Sequence, residues 1–180
     1  KYNPQKSELI KLRAIIIKSY NDYVDIENSK RLKKIKISDR KKNSLLSLYN
    51  SQTKTAQSVI QTIVDNLNPK HDSKCLFCGI GEYEEIDHYL PKEHFPQYSI
   101  LFKNLLPICG KCNKKKSDNI PGEKHDYLHL VYDIIPLDNY IKLDIKFNGK
   151  TPILDFKINN SCSSLIKKHI QALNLIPRYN

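Results

Sequence analysis

Four cysteines fall in two Cys-x-x-Cys pairs, Cys75/Cys78 and Cys109/Cys112, and Asp87-His88 lies between them in "EEIDHYLPKEH" (84–94). Each pair suits a knuckle turn that aims two thiolates at one ion, and two pairs complete a tetrahedral zinc site. A redox role needs one pair poised alone, usually beside a βαβ pattern, so the doubled pair points to zinc. Gly79 follows the second cysteine of its pair and Gly110 the first of its own, and both are expected at tight turns. Zinc held by four thiolates has no open position, so it is structural. Any chemistry must come from the loop that it staples. In so short and polar a segment the metal replaces a hydrophobic core, and chelation is expected to unfold it.

Within that loop Asp87 and His88 read as strand, closed by Leu90-Pro91, and Asn113 follows Cys112 at the start of "NKKKSDN", a helix of lysines. The zinc ties this strand to the helix start, which brings Asp87 and Asn113 toward one another. A carboxylate and an amide carbonyl are hard oxygen ligands suited to Mg2+ or Mn2+, which keep several waters and accept phosphate oxygens. Side chains alternate along a strand, so His88 is expected on the face opposite Asp87, as a neutral general base. Lys92 and Lys114 to Lys116 flank the site, and some of them are expected on phosphates. His94 reads as a solvated loop histidine. Tyr89 and Tyr98 read as core or rim packing rather than as platforms for bases. His71, His125, His129 and His169 show no metal motif, and Cys162 reads as a buried, reduced thiol.

The elements around this segment must position it. Asn3-Pro4 opens an amphipathic helix expected over 4–27, with Leu9, Leu12, Ile16, Tyr20 and Tyr23 on one face. The basic stretch "KRLKKIKISDRKK" (30–42) follows, either a solvated connection or a phosphate-facing surface. Leu45, Leu48, Tyr49, Ala56, Val59, Ile60, Ile63 and Leu67 continue a second helical pattern, stopped by Asn68-Pro69. Beyond the cysteine segment, "YIKLDIKFNGKTPILDFKI" (140–158) alternates around Asn148-Gly149 as a hairpin, with Pro152 marking an edge. A last helix is expected from about Ser163 to Asn174.

Lys and Arg number 30 against 19 acids, a net charge of +11, in a chain of 180 residues. That excess favours a polyanionic partner over the alternative, an AT-rich coding sequence that yields much Lys, Asn and Ile. No apolar run approaches the ~18 residues of a membrane span and no secretory pattern is present, so the expected location is cytoplasmic. The first residue is Lys1, which reads as an excerpt of a longer protein.

Taken together, "CLFCG", "EIDHYLP" and "NLLPICGKCNKKK" resemble the HNH endonuclease family, in particular its branch with four zinc-binding cysteines. The family core is two strands and a helix around one metal, the ββα-metal fold, and the likeness covers roughly residues 75 to 119. The resemblance implies a DNA phosphodiesterase with His88 as general base and Asp87 as the metal ligand beside it. It implies Asn113 as the second protein ligand, in a position where members carry His or Asn, and Asn104 as the residue that holds the His-bearing loop. Asparagine in place of histidine is expected to weaken binding of softer metals there. The implied products are 5′-phosphate and 3′-hydroxyl ends. The expected fold class is α+β: helices over 1–70, the nuclease core over 71–122, and a C-terminal hairpin and helix over 123–180. Similar HNH proteins occur in bacterial restriction and anti-phage defence, some working with an ATPase. A non-catalytic zinc-ribbon that binds nucleic acid, or a subunit docking on a partner through the 1–70 helices, is the alternative. RNA as substrate and a homodimer both stay open.

Overall fold

The computed structural model describes residues 4–23, 32–51, 54–65, 73–123, 126–129, 133 and 140–180. The stretch 24–27, Lys30, Arg31, Leu67, the Asn68-Pro69 stop, His71 and His125 lie outside the described residues. The chain is α+β, with helices and two small antiparallel sheets. Helix α1 (Pro4–Asp22) buries Leu12, and Tyr23 at its end enters the core. The single helix expected across 45–67 is two, α2 (Asp39–Asn50) and α3 (Lys54–Asp65). Ser51 ends α2 with its N–H on the carbonyls of Ser47 and Tyr49. Ser51 turns its hydroxyl back onto the Ser47 carbonyl, a local bond that competes with a continued helix and that the apolar periodicity alone does not show.

Strand β1 (Glu85–His88) pairs antiparallel with β2 (Leu105–Ile108), with Asp87 opposite Leu106 and His88 opposite Leu105. All four residues of β2 are buried, so β2 is the floor of this region. Helix α4 (Gly110–Lys116) leaves β2 after one residue, Cys109, which is its N-cap. It ends before "SDN", where Ser117 adopts a positive φ of 51°. The helix read from "NKKKSDN" therefore lies three residues earlier than expected, at the same length.

Strands β3 (Ile141–Asn148) and β4 (Thr151–Ile158) form the hairpin, with Gly149 at φ 62° in the turn and Pro152 opposite Phe147. The register puts Ile141, Leu143, Ile145 and Phe147 on one face with Pro152, Leu154, Phe156 and Ile158. Only the base of that face packs on the core, through Ile141 and Ile158; Leu143, Ile145, Phe147 and Leu154 are exposed. The other face carries a charge ladder in which Lys157 bridges Asp144 and Asp155. Helix α5 (Ser164–Ala172) starts at the Ser163 cap, whose hydroxyl accepts from Ile166 N–H. It stops two residues short of Asn174, which turns the chain at φ 51° into an unexpected short helix, α6 (Ile176–Tyr179). Cys162 is a buried free thiol, as expected of a small hydrophobe. Among the described residues no helix is long and apolar enough to cross a membrane.

Candidate metal centre and the Asp-His strand

The four cysteines of the two pairs come together. Their sulfurs lie within 4.8 Å of one another, all buried. Zinc–sulfur bonds of about 2.3 Å in a tetrahedron put sulfurs about 3.8 Å apart, and Cys78 and Cys109 stand at 3.9 Å. Four soft sulfurs at that spacing fit a zinc site. The chain builds the knuckle as expected at Gly79, whose φ of 64° lets its N–H return to the Cys75 carbonyl. Leu76 N–H bonds the Pro107 carbonyl, which hooks this knuckle onto β2. Gly110 is different. It opens α4, and its N–H donates to the Glu84 carboxylate at 3.3 Å. Hydrogen bonds from Cys112 and then Cys75 push the Cys78 thiol down, while its bonds to Cys75 and Cys78 push Cys112 up. Such thiols ionise together only around a cation.

Sequence reasoning missed the cap on this cluster. Arg178 of α6 donates to Cys112 Sγ at 3.2 Å and Cys78 Sγ at 3.3 Å, and reaches Cys109 Sγ at 3.7 Å. Tyr179 Oη donates to the Cys78 carbonyl. His169 of α5 donates from Nε2 to the Phe77 carbonyl inside the knuckle, and its Nδ1 accepts from Leu128 N–H. No spacing in the sequence marks these partners, which arrive from the far end of the chain.

Beside this centre, β1 splits its side chains as the alternation predicted. His88 is 2% exposed and faces α2; its Nε2 bonds the Ser99 carbonyl at 2.9 Å. A carbonyl only accepts, so the proton sits on Nε2 and Nδ1 carries the lone pair. Burial first, against the pull of the Ser99 bond and Asp87, lowers the His88 pKa to about 4, so the ring is neutral near pH 7. The Tyr49 ring meets it edge-on at 4.5 Å, and the Tyr49 hydroxyl donates to the Ile86 carbonyl. Ser99 is held in turn by its hydroxyl bond to the Leu45 carbonyl. Thus α2, an element assigned no role from sequence, braces the histidine.

Asp87 and Glu85 lie on the other face, toward α4. Asp87 Oδ2 accepts from Lys116 Nζ at 2.8 Å, and its Oδ1 stands 4.0 Å from His88 Nδ1. Asn113 donates its Nδ2 to Glu85 Oε2 at 2.8 Å, three residues before Lys116 on the helix. Strand β1 thus meets α4 at one corner, through Glu85 on Asn113 and Asp87 on Lys116. Glu85 was given no role in the sequence reading, and Tyr49 stood there only as an apolar position of the second helical pattern. Of the lysines read there as flanking the site, some of them on phosphate, Lys116 is 1% exposed and paired with Asp87, while Lys114 and Lys115 are exposed.

Asn104 is fully buried and uses its whole amide. Oδ1 accepts from Leu90 N–H at 2.8 Å and Tyr23 Oη at 3.0 Å; Nδ2 donates to the carbonyls of Leu90 and Tyr98. It thereby ties α1, the segment after His88 and the 96–99 turn. Tyr89 and Tyr98 are buried core residues, and His94 stands 3.7 Å from the exposed Asp118. Lys92 lies over the Tyr49 ring and bonds Asn50.

Fold and site define an α+β protein in which a four-cysteine metal-type centre adjoins a strand carrying an Asp-His pair. Among curated proteins, the chain is 33% identical over 95 residues to protein ea31 of Escherichia phage lambda, covering 51% of this chain and 32% of that protein. It is 27% identical over 132 residues to Septu protein PtuB of Bacillus thuringiensis, covering 63% of this chain and 51% of that one. The chain thus spans about half, or less, of the length of these relatives. No protein-family model and no solved structure matches it.

Proposed function

We propose that the chain is an HNH-type endonuclease that hydrolyses DNA phosphodiester bonds. The observation that carries this reading is the state of His88: neutral, with Nε2–H fixed on Ser99 and the basic Nδ1 turned toward the side where Asp87 presents Oδ1. In this role His88 takes the proton of an attacking water at Nδ1. Asp87 and Asn113 would hold one Mg2+ or Mn2+, which supplies charge stabilisation for the phosphate and the leaving 3′ oxygen. Asn104 fixes the loop after His88, so that the base keeps its place. The four cysteines would hold zinc as the staple. The net charge of +11 supports a nucleic-acid partner.

The proposed setting is bacterial restriction or anti-phage defence, with an ATPase as a candidate protein partner. A phage protein and a bacterial protein among the relatives support a role where phage and host meet. The exposed apolar face of the β3–β4 hairpin supports a protein partner, since contiguous apolar surface marks interaction sites. Plasmid DNA incubated with protein and Mg2+ or Mn2+ tests the reading. Nicking is expected from the wild-type chain, and His88→Ala is expected to keep DNA binding and lose at least a hundredfold in cleavage, on the order of general-base effects. Cleavage by His88→Ala at the wild-type rate, or a gel shift with no nicking by either protein, overturns it.

A further inference from the structure

Lys116 is a buried feature of the Asp87 corner that the proposed reaction does not use. Its side chain is 1% exposed, yet its Nζ lies against the carboxylate assigned to the divalent cation. Nζ lies 2.8 Å from Asp87 Oδ2 and 3.4 Å from the Ser117 carbonyl. A buried lysine is rare unless paired, and this one is built in: Cys112, four residues earlier on the same helix, is locked in the sulfur cluster. The main chain around it is also held. Asn119 bonds the Lys116 carbonyl through both its N–H and its Nδ2. The ammonium therefore occupies one oxygen of Asp87 and leaves the other, Oδ1, on the side of His88 Nδ1 at 4.0 Å.

We propose that Lys116 is a positioning residue that shares Asp87 with the divalent cation, pinning Oδ2 so that the cation is held through Oδ1, beside His88. This rests on the nuclease reading for the identity of the cation site. Two consequences follow from charge and geometry. A resident positive charge next to the site weakens cation binding, so its removal tightens it. A carboxylate freed at both oxygens turns, so the same removal harms the orientation of whatever Asp87 holds relative to His88.

The test is Mn2+ binding to the zinc-loaded full chain, read by electron paramagnetic resonance, with cleavage measured in parallel. Lys116→Met and Lys116→Gln are expected to bind Mn2+ about tenfold more tightly while the turnover number falls at least tenfold. Lys116→Arg keeps the charge and is expected to stay within about twofold of wild type in binding. Unchanged or weaker Mn2+ binding in the neutral variants overturns the proposal, because a merely structural lysine would give that result. Should those variants not fold, the wild type still decides: the 15N ammonium signal of Lys116 is expected to shift on titration with Mg2+, and an unmoved signal at saturating Mg2+ overturns it. The nuclease reading fails differently. Its failure shows as wild-type protein with no Mn2+ binding that Asp87→Ala removes.

Discussion

At its N-terminal end α4 gives Cys109 and Cys112 to a corner made of sulfur, and directly afterwards Asn113 and Lys116 face oxygen. The two corners share a helix and differ in almost every other respect. The sulfur corner is enclosed: four buried cysteines, with Arg178 laid across three of their sulfurs. The oxygen corner is half-open, since Glu85 is exposed and Asn113 and Asp87 are partly so. Closed soft donors suit a permanent ion, and open hard donors suit one that exchanges and keeps water. The difference teaches a division of labour: the first corner sets where α4 begins, and that position decides which side chains β1 meets at the second.

The sharpest way to break this comparison is to remove a sulfur. Cys109→Ala takes away one of the four clustered sulfurs at the position from which α4 starts, so the helix loses its anchor on the cluster. Structural zinc carries about 10 kcal/mol or more of binding energy that is folding energy. Loss of zinc and of the cooperative thermal transition is expected, read by metal analysis and circular dichroism. By contrast, Asp87→Asn keeps the shape of the side chain and is expected to retain zinc and fold. A Cys109→Ala protein that melts like wild type would mean that the sulfur corner supports nothing.

Asn104→Ala probes the brace between the corners. Four hydrogen bonds end on this one buried amide, and truncation removes one from the Tyr23 hydroxyl, two from the Leu90 backbone and one from the Tyr98 carbonyl. At about 1 kcal/mol per bond the loss is about 4 kcal/mol. Chemical denaturation is expected to show that loss with zinc content unchanged, because none of the four bonds touches a cysteine. Parallel loss of zinc would join what the comparison separates.

How far these corners were legible depends on whether a residue acts with its sequence neighbours. The paired cysteines, Gly79 and the opposite facing of Asp87 and His88 follow from spacing and alternation, which are local rules. Asn104 was legible only through family likeness, since a lone asparagine in "KNLLP" has no local signature. Tyr49, Ser99, Glu85 and Arg178 were not legible, because each acts across a tertiary contact. Gly110 shows the limit well. A glycine after cysteine reads as a turn, whereas Gly110 opens a helix. The break between α2 and α3 escaped for a related cause: continuous apolar spacing hid a polar interruption at "NSQT".

Acid distinguishes the braces further. His129 is fully buried, and its Nε2 bonds the Lys103 carbonyl, next to Asn104. Burial lowers its pKa to about 4, against the Lys103 bond that raises it. The folded value lies below the ordinary 6.5, so folding favours the neutral ring. Its contribution is complete above pH 6.5, falls as pH drops toward 4, and amounts to about 3 kcal/mol. His129→Gln still offers an N–H to that carbonyl but takes up no proton. Between pH 6.5 and 4 its stability is expected to decline less steeply than that of wild type. Equal slopes in denaturation at several pH values would place the acid sensitivity elsewhere.

The smallest effect expected is at Arg178, and it bears on why the sulfur corner is closed. A zinc ion with four thiolates carries a net charge of −2, so a guanidinium against three sulfurs offsets charge and masks lone pairs at once. Arg178 also fixes α6, since its neighbour Tyr179 bonds the Cys78 carbonyl and packs on Phe156 of β4. Arg178→Gln is expected to speed zinc transfer to a chromogenic chelator several-fold and to lower stability by about 1 kcal/mol. Arg178→Lys restores the charge without the planar fork, so it should recover only part of the slower rate. Zinc release from Arg178→Gln at the wild-type rate would show that the cysteines close their own corner, with the C-terminal helix resting on it as a passenger.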